Sequence, residues 1–140
     1  MSGLIAEEYL DQIKKIDAII RNKSEDYRRW VDLASGLGDF SVSERVQSSR
    51  NLQKNSNAII NYIAIEQEID ELKRKRAEII RTMEQLPSIE YKILYKLYVE
   101  DYTRKEVAYL FHRSYEWVKK KRQRGLKLIQ KMIDEQKPCM

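Results

Sequence analysis

Ten lysines and arginines lie between Arg104 and Lys131, accompanied by only two acidic residues, Glu106 and Glu116. Ten positive minus two negative charges give this segment +8, and since the whole chain carries +5, about −3 remains for the rest. Lysine and arginine at this density can neutralise the phosphates of a duplex and release its condensed counterions. A solvated helix face is the alternative for a charge run alone, but the capping and turn signals that flank this segment favour nucleic-acid binding.

The sequence contains no motif typical of an enzyme, and its carboxylates are scattered over the predicted amphipathic helices. His112 is the single histidine, so no second histidine is present to pair with a serine or cysteine nucleophile. Cys139 is the single cysteine, and no metal-binding Cys/His spacing occurs. The four glycines are isolated from any phosphate-binding loop pattern. We expect no enzyme, no cofactor and no metal, a structural role for His112 at a turn, and a free thiol at Cys139.

The basic segment has the pattern of a helix-turn-helix. Thr103 and Glu106 are spaced as a capping box, which starts a short helix, and Ser114 can cap a second helix after a connection of a few residues. The apolar side of the first helix is Val107, Ala108, Leu110 and Phe111. A basic helix after a short capped helix is the arrangement that enters a DNA major groove. The predicted phosphate-contacting residues are Arg104, Lys105, Arg113, Lys121, Arg122 and Arg124.

Two long amphipathic helices are predicted before this motif. Apolar residues alternate at intervals of three and four from about Leu4 to Ala34 and again from Ala58 to Leu86. Such heptad patterns are typical of helices that pair, so the two should form an antiparallel, coiled-coil-like hairpin. Each pattern includes one basic residue, Lys23 and Arg76, which should lie near an end of the contact or reach outward. The same apolar faces can recruit a second chain, and we expect a homo-oligomer, most simply a dimer.

The segments between these helices set the expected domain boundaries. A polar connection runs from Ser35 to Asn57, starting with the helix stop Gly36-Leu37-Gly38, and is either a flexible loop or a small contact surface around residues 45–49. Pro87 ends the second long helix, and Ser88 is expected to cap a helix that reaches about Asp101 and buries Tyr98. The prediction is an all-α fold with a helical hairpin at 1–86 and a tri-helical helix-turn-helix domain at 87–140.

The segment from Asp101 to Phe111, followed by Ser114-Tyr115-Glu116-Trp117-Val118, resembles region 4 of bacterial sigma-70-type factors, which reads the promoter −35 element. Two positions depart from that pattern. His112 stands where glycine is common and needs an unusual backbone angle or a different turn, and Lys121 stands where an apolar core residue is expected. The base-facing set therefore depends on how the helix is rotated. The resemblance implies base contacts by Tyr115, Glu116, Lys119, Lys120 and Gln123.

Most of the chain is also similar to small sigma-region-4-like proteins of phages and phage satellites, the group that contains the RinA and ArpU type late regulators. The matching parts are Tyr9-Leu10-Asp11-Gln12-Ile13, Glu44-Arg45-Val46-Gln47-Ser48-Ser49, the helix from Ile65 to Leu86, Ser114-Tyr115 and Arg124-Gly125-Leu126. This resemblance implies a sequence-specific activator of late or packaging genes that binds double-stranded DNA.

Two alternatives remain open at the level of the sequence. One is a packaging component such as a small terminase subunit, although such proteins usually carry the DNA-binding domain at the N-terminus. The other is an adaptor that binds host RNA polymerase through the hairpin without binding DNA itself. No stretch approaches the roughly 18 apolar residues of a membrane span and no signal peptide is visible, so we expect a cytoplasmic protein that does not bind a membrane.

Overall fold

The structure is a computed structural model that describes residues 2–35 and 48–136, with side chains at 5–35 and 56–136. All of its secondary structure is helical, and the residues described contain no strand, so the all-α prediction is confirmed. The helices are α1 (Ser2–Ser35), α2 (Ser48–Glu84), α3 (Ser88–Leu94), α4 (Arg104–Phe111) and α5 (Tyr115–Gln136).

The helix α2 begins earlier than predicted. Because it starts at Ser48, the expectation of a polar connection that reaches Asn57 is wrong for residues 48–57. Serine and asparagine cost at most about 0.7 kcal/mol each in a helix, a penalty that a long helix can absorb once it has been nucleated. The predicted stop Gly36-Leu37-Gly38 and residues 45–47 of the predicted contact surface lie outside the described residues.

The joint between α2 and α3 differs in detail from the prediction. Pro87 itself occupies the capping position, with φ −55° and ψ 152°, and Ser88 is the first helical residue, so the prediction that Ser88 caps α3 is wrong. The fixed φ of proline suits this position, and its carbonyl oxygen accepts a hydrogen bond of 2.9 Å from the backbone N–H of Tyr91. The helix therefore starts from backbone geometry without a side-chain cap.

The end of α3 is also different. The chain continues as a π-helical segment, Tyr95–Val99, in which the backbone N–H of Glu100 donates to the carbonyl oxygen of Tyr95 at 3.1 Å. The helical region thus ends before Asp101, which has a left-handed backbone with φ 64°. Tyr98 lies in this segment and is buried, as predicted.

The chain divides into two compact units. The first, which we call the basic unit, combines Met1–Ile16 with Lys75–Met140, and the second, the two-helix unit, is Asp17–Arg74. This division does not coincide with the predicted boundary after Leu86, because the start of α1 and the end of α2 cluster with α3, α4 and α5. The functional assignment of 1–86 and 87–140 to two roles stays a prediction.

The core of the basic unit draws on all five helices. Its largest fully buried side chains are Leu10 and Ile13 from α1, Met83 from α2, Ile93 and Leu94 from α3, Val107 from α4, and Val118 and Ile129 from α5. Polar contacts join the same elements. The hydroxyls of Tyr9 and Thr82 are 3.0 Å apart, and Lys14 Nζ lies 2.8 Å from a carboxylate oxygen of Asp101.

The two-helix unit has α1 and α2 side by side with opposite chain directions. Lys23 Nζ lies 3.0 Å from Glu68 Oε1, and one turn further along α1 the Tyr27 hydroxyl donates to Glu66 Oε2 at 3.1 Å. The rings of Tyr27 and Tyr62 meet edge to face with centroids 5.7 Å apart. As residue numbers rise along α1 they fall along α2, so the segments of the two helices in this unit are antiparallel.

Candidate nucleic-acid interface

The start of α4 has the predicted capping box. The backbone N–H of Glu106 donates to Thr103 Oγ1 at 3.2 Å, and the backbone N–H of Thr103 donates to Glu106 Oε1 at 2.8 Å. Both ends of the pattern satisfy backbone donors that the first helical turn leaves unpaired. The cap fixes where α4 begins and so places Arg104 and Lys105 in its first turn.

The turn after α4 is built on His112. This residue has φ 53° and ψ 44°, the left-handed conformation in which glycine is common, and its backbone N–H donates to the carbonyl oxygen of Tyr109 at 3.2 Å. Of the two alternatives for His112, an unusual backbone angle or a different turn, the structure has the first. Ser114 then caps α5 as predicted, because its Oγ accepts the backbone N–H of Trp117 at 3.1 Å. The connection between the helices is therefore three residues, 112–114.

The side chains predicted to contact bases share one exposed side of α5. The sequence intervals between these five residues are one, three, one and three. Since each residue of an α-helix turns by about 100°, the five side chains lie within an arc of about 140° around the helix axis. All five are exposed: Tyr115, Glu116, Lys119, Lys120 and Gln123. The opposite side buries Val118, Gly125 and Ile129. The rotation of the helix, which sequence reasoning left open, therefore turns the whole predicted set outward.

Four of the six predicted phosphate-contacting residues are placed where an anion could reach them. Lys105, Arg113 and Arg124 are exposed, and Arg104 is half-buried with its Nη1 donating to the Tyr115 hydroxyl at 3.4 Å. The guanidinium of Arg113 lies 5.1 Å from the ring centroid of Trp117, a cation–π contact that holds it at the start of α5.

Arg122 does not fit its predicted role. Its side chain is only 13% exposed, and its Nη2 lies 2.9 Å from Glu7 Oε1 and 3.0 Å from the Tyr98 hydroxyl. Burial raises the pKa of the Tyr98 phenol, an effect that the nearby Arg122 charge opposes. Because two partners on α1 and on the segment after α3 occupy this guanidinium, we replace the phosphate-contact assignment of Arg122 with a structural one.

Glu90 explains the unexpected lysine at position 121. This carboxylate is buried on α3, and one of its oxygens lies 3.9 Å from Lys121 Nζ and 3.5 Å from Arg124 Nε. The ammonium group of Lys121 also lies 6.0 Å from the ring centroid of Trp117. A lysine can occupy a core-facing position here because a buried acid and an aromatic face receive its charge. Lys121 is therefore directed toward the protein, and a phosphate contact by it would compete with Glu90.

Sequence reasoning missed both acids that hold these cations, Glu7 and Glu90. Each lies more than 30 residues from its partner on α5, and no local spacing marks it as a partner. It also gave no role to Lys127 and Lys131, which were counted in the charge of the segment and are exposed on α5.

Other kinds of site are not found in the part of the chain that the structure describes. Within that part, no group of three or more histidine, cysteine, aspartate or glutamate side chains is arranged to hold a metal ion. None of its helices combines the length and the apolar character that crossing a bilayer requires. Comparison of the chain with protein-family models, curated proteins and solved structures gives no match in any of the three.

Proposed function

We propose that this chain is a sequence-specific transcriptional regulator that binds double-stranded DNA, of the kind that controls late or packaging genes in phages and phage satellites. In this proposal α3, α4 and α5 form a tri-helical helix-turn-helix, and α1 and α2 form a helical hairpin. The observation that carries the proposal is the exposed side of α5, where all five candidate base-contacting residues face solvent after a capped helix and a three-residue turn.

The distribution of charge supports this proposal. The two-helix unit has nine lysines and arginines against ten acids, a net of −1, whereas the basic unit has eighteen against twelve, a net of +6. The excess positive charge is thus confined to the compact unit that contains α5. A chain that combines a strongly positive unit with a nearly neutral one suits a division of roles, with DNA binding in the first and protein contact in the second.

The two-helix unit would supply self-association. A single small helix-turn-helix reads few base pairs, and dimers on repeated half-sites are the usual route to useful specificity. The isoleucine patch, Ile59, Ile60 and Ile63, lies on one side of α2 with all three side chains exposed. Contact with a second copy of this chain would remove these side chains from water.

A binding experiment with the full chain tests the proposal. The preferred site is first selected from random duplexes, and anisotropy then compares that site with a scrambled one over a salt series. We expect Lys119→Ala to reduce the preference for the selected site by roughly 5- to 150-fold, the range of about 1–3 kcal/mol for one base contact. Lys105→Ala should weaken both duplexes equally and lower the salt slope by about 0.9, as for one lost phosphate contact.

The matched control is Lys73→Ala, an exposed lysine of the two-helix unit that should leave both quantities unchanged. The proposal is overturned when the wild-type chain binds no duplex at low salt, or when Lys119→Ala and Lys105→Ala both bind like the wild type.

A polymerase-binding adaptor is the second candidate, and the observation that favours it lies on α4, not on the helical hairpin expected to make this contact. The outer side of α4 exposes two large side chains, Tyr109 at 79% and Leu110 at 44%, beside a depression of about 300 Å³. Exposed apolar side chains around a concave surface suit a protein partner better than a phosphate backbone. Co-purification with purified host RNA polymerase, together with unchanged mobility of promoter fragments with the chain alone, would favour the adaptor over the regulator.

A further inference from the structure

The exposed cations of α5 continue well beyond its proposed base-reading part. Lys120, Arg124, Lys127 and Lys131 follow one another at four, three and four residues, which aligns them in one row along the helix. At about 1.5 Å per residue this cationic row is about 16 Å long. All four side chains are exposed, so the row is open to solvent over three turns of helix.

The cationic row is distinct from the cations that the protein uses internally. Lys121 and Arg122 are directed toward Glu90 and Glu7 and lie on another side of α5. In contrast, Lys120, Lys127 and Lys131 form no ion pair with any acid that the structure describes. Arg124 approaches Glu90 at 3.5 Å, but its side chain remains 65% exposed. Among the described residues, three of the four cations in the row thus have no acid as a partner, and the fourth, Arg124, stays largely exposed.

The row also has a defined position beside the candidate base-contacting residues. Counting about 100° per residue from Tyr115, Lys119 lies at about 40°, Gln123 at about 80° and the row between about 120° and 180°. Arg104 lies on the other side of this set, because it donates its hydrogen bond to Tyr115. The exposed surface therefore has positive charge on both sides of its central side chains.

We propose that the cationic row beyond the base-contacting Lys120, that is Arg124, Lys127 and Lys131, binds the phosphate backbone of one DNA strand while Arg104 and Lys105 bind that of the opposite strand. This inference rests on the proposed function, since it takes Lys119 and Gln123 to lie over the groove between the two strands. Phosphates follow one another every 3.4 Å of axis on a strand, so a row of about 16 Å passes several of them. The footprint of the protein would extend past the bases that it reads.

The test measures salt dependence, which counts phosphate contacts whatever the base sequence. The full chain is titrated onto an unselected duplex of about 30 base pairs at roughly 50 to 300 mM KCl, and log K is plotted against log [KCl]. We expect the double variant Lys127→Gln/Lys131→Gln to lower the slope by about 1.8, since each lost contact accounts for about 0.9. The control Lys73→Gln/Arg74→Gln removes the same charge from exposed positions of the two-helix unit and should keep the wild-type slope.

Strand assignment needs a second measurement on the selected site. Uncharged methylphosphonates replace phosphates in one strand at a time, and the affinity of the wild type is compared with that of Lys127→Gln/Lys131→Gln. We expect the difference in affinity to disappear when one particular strand is substituted and to remain when the other is. Circular dichroism checks that both variants keep the wild-type helix content.

The outcomes separate the inference from the function on which it rests. When the wild type binds duplexes but Lys127→Gln/Lys131→Gln keeps the wild-type salt slope, the proposed phosphate contact of the cationic row is wrong and the regulator proposal stands. When methylphosphonates in either strand reduce the difference in affinity between the wild type and the variant equally, the assignment of the row to one strand is wrong. When the wild type binds no duplex at all, the regulator proposal fails and the row fails with it.

Discussion

Arg122 and Lys119 lie three positions apart on one basic helix, yet their surroundings differ completely. Lys119 is exposed, whereas Arg122 is held by Glu7 and Tyr98. A charged side chain on a helix is available to a ligand when the fold leaves it exposed, as at Lys119, and not when it is buried against an acid, as at Arg122. The role of each cationic side chain on this helix must therefore be inferred from the groups that it contacts.

At this scale we predict that Arg122→Met destabilises the protein. The substitution leaves Glu7 and the Tyr98 hydroxyl without their partner, and the loss of hydrogen bonds to a charged group costs about 1.5–3 kcal/mol each, reduced here because Glu7 is partly exposed. We expect a fall of about 2 kcal/mol in the free energy of unfolding, measured by urea denaturation. Lys120→Met, at an exposed position of the same helix, is the control. Equal stability of both variants would contradict the structural role of Arg122.

At the scale of elements, α5 packs against α3 and α4. The capping box, the left-handed His112 and the Ser114 cap set where α4 ends and α5 begins. Contact with α3 sets the rotation of α5, because Gly125 allows the two helices to approach closely. A β-carbon at that position would lie 2.8 Å from Leu94 Cδ1 and 3.5 Å from Glu90 Cβ.

The corresponding prediction is that Gly125→Ala destabilises the protein, although alanine is the better helix former. Helix propensity favours alanine by about 1 kcal/mol, but Leu94 is fully buried and cannot move away freely, and overpacking costs about 1–3 kcal/mol. We expect a net loss of about 1 kcal/mol, seen as a lower Tm by calorimetry. Gln123→Ala, at an exposed position of α5, should change Tm little. A rise in Tm for Gly125→Ala would show that α3 yields to the added methyl group.

At the scale of the whole molecule, the two compact units differ in how well they bury apolar side chains. The basic unit encloses eight large side chains almost completely, whereas most of the apolar pairing face of the two-helix unit stays half-exposed, with Ala58 and Ile69 as its buried members. Two helices alone cannot enclose a core, so the exposed isoleucine patch favours a further copy of the chain.

We therefore predict that Ile60→Glu/Ile63→Glu weakens self-association. Ile60 is 64% exposed in the single chain, so the added charges should cost little stability but would be costly in an apolar contact between copies. Sedimentation over a range of concentrations should show a wild-type dimer and a largely monomeric variant. Ile89→Glu, at a comparably exposed isoleucine of the basic unit, should leave the dimer intact. A wild-type monomer at all concentrations would contradict this prediction, and a ring of eight or more copies would favour the packaging alternative.

The sequence by itself determined the features that depend on neighbours within a few residues. The capping box at Thr103, the cap at Ser114 and the pairing face of α1 follow from short spacings, because their partners lie within one or two helical turns. At His112 the sequence allowed either a left-handed residue or a different turn, and the structure has the former. Local propensity gave the wrong start for α2 and the wrong cap for α3, where helix continuation and the backbone of Pro87 decided the outcome.

Only the tertiary structure decided which cations of α5 face outward. Glu7 and Glu90 are distant in sequence from Arg122, Lys121 and Arg124, and the start of α1 joins the core of the basic unit across more than 50 intervening residues. Such pairings depend on how the helices pack, since a buried charge loses its contact with water and is stabilised by an oppositely charged partner. Periodicity along the chain predicts which side of a helix is apolar, but the packing of distant segments determines which residues that side contacts.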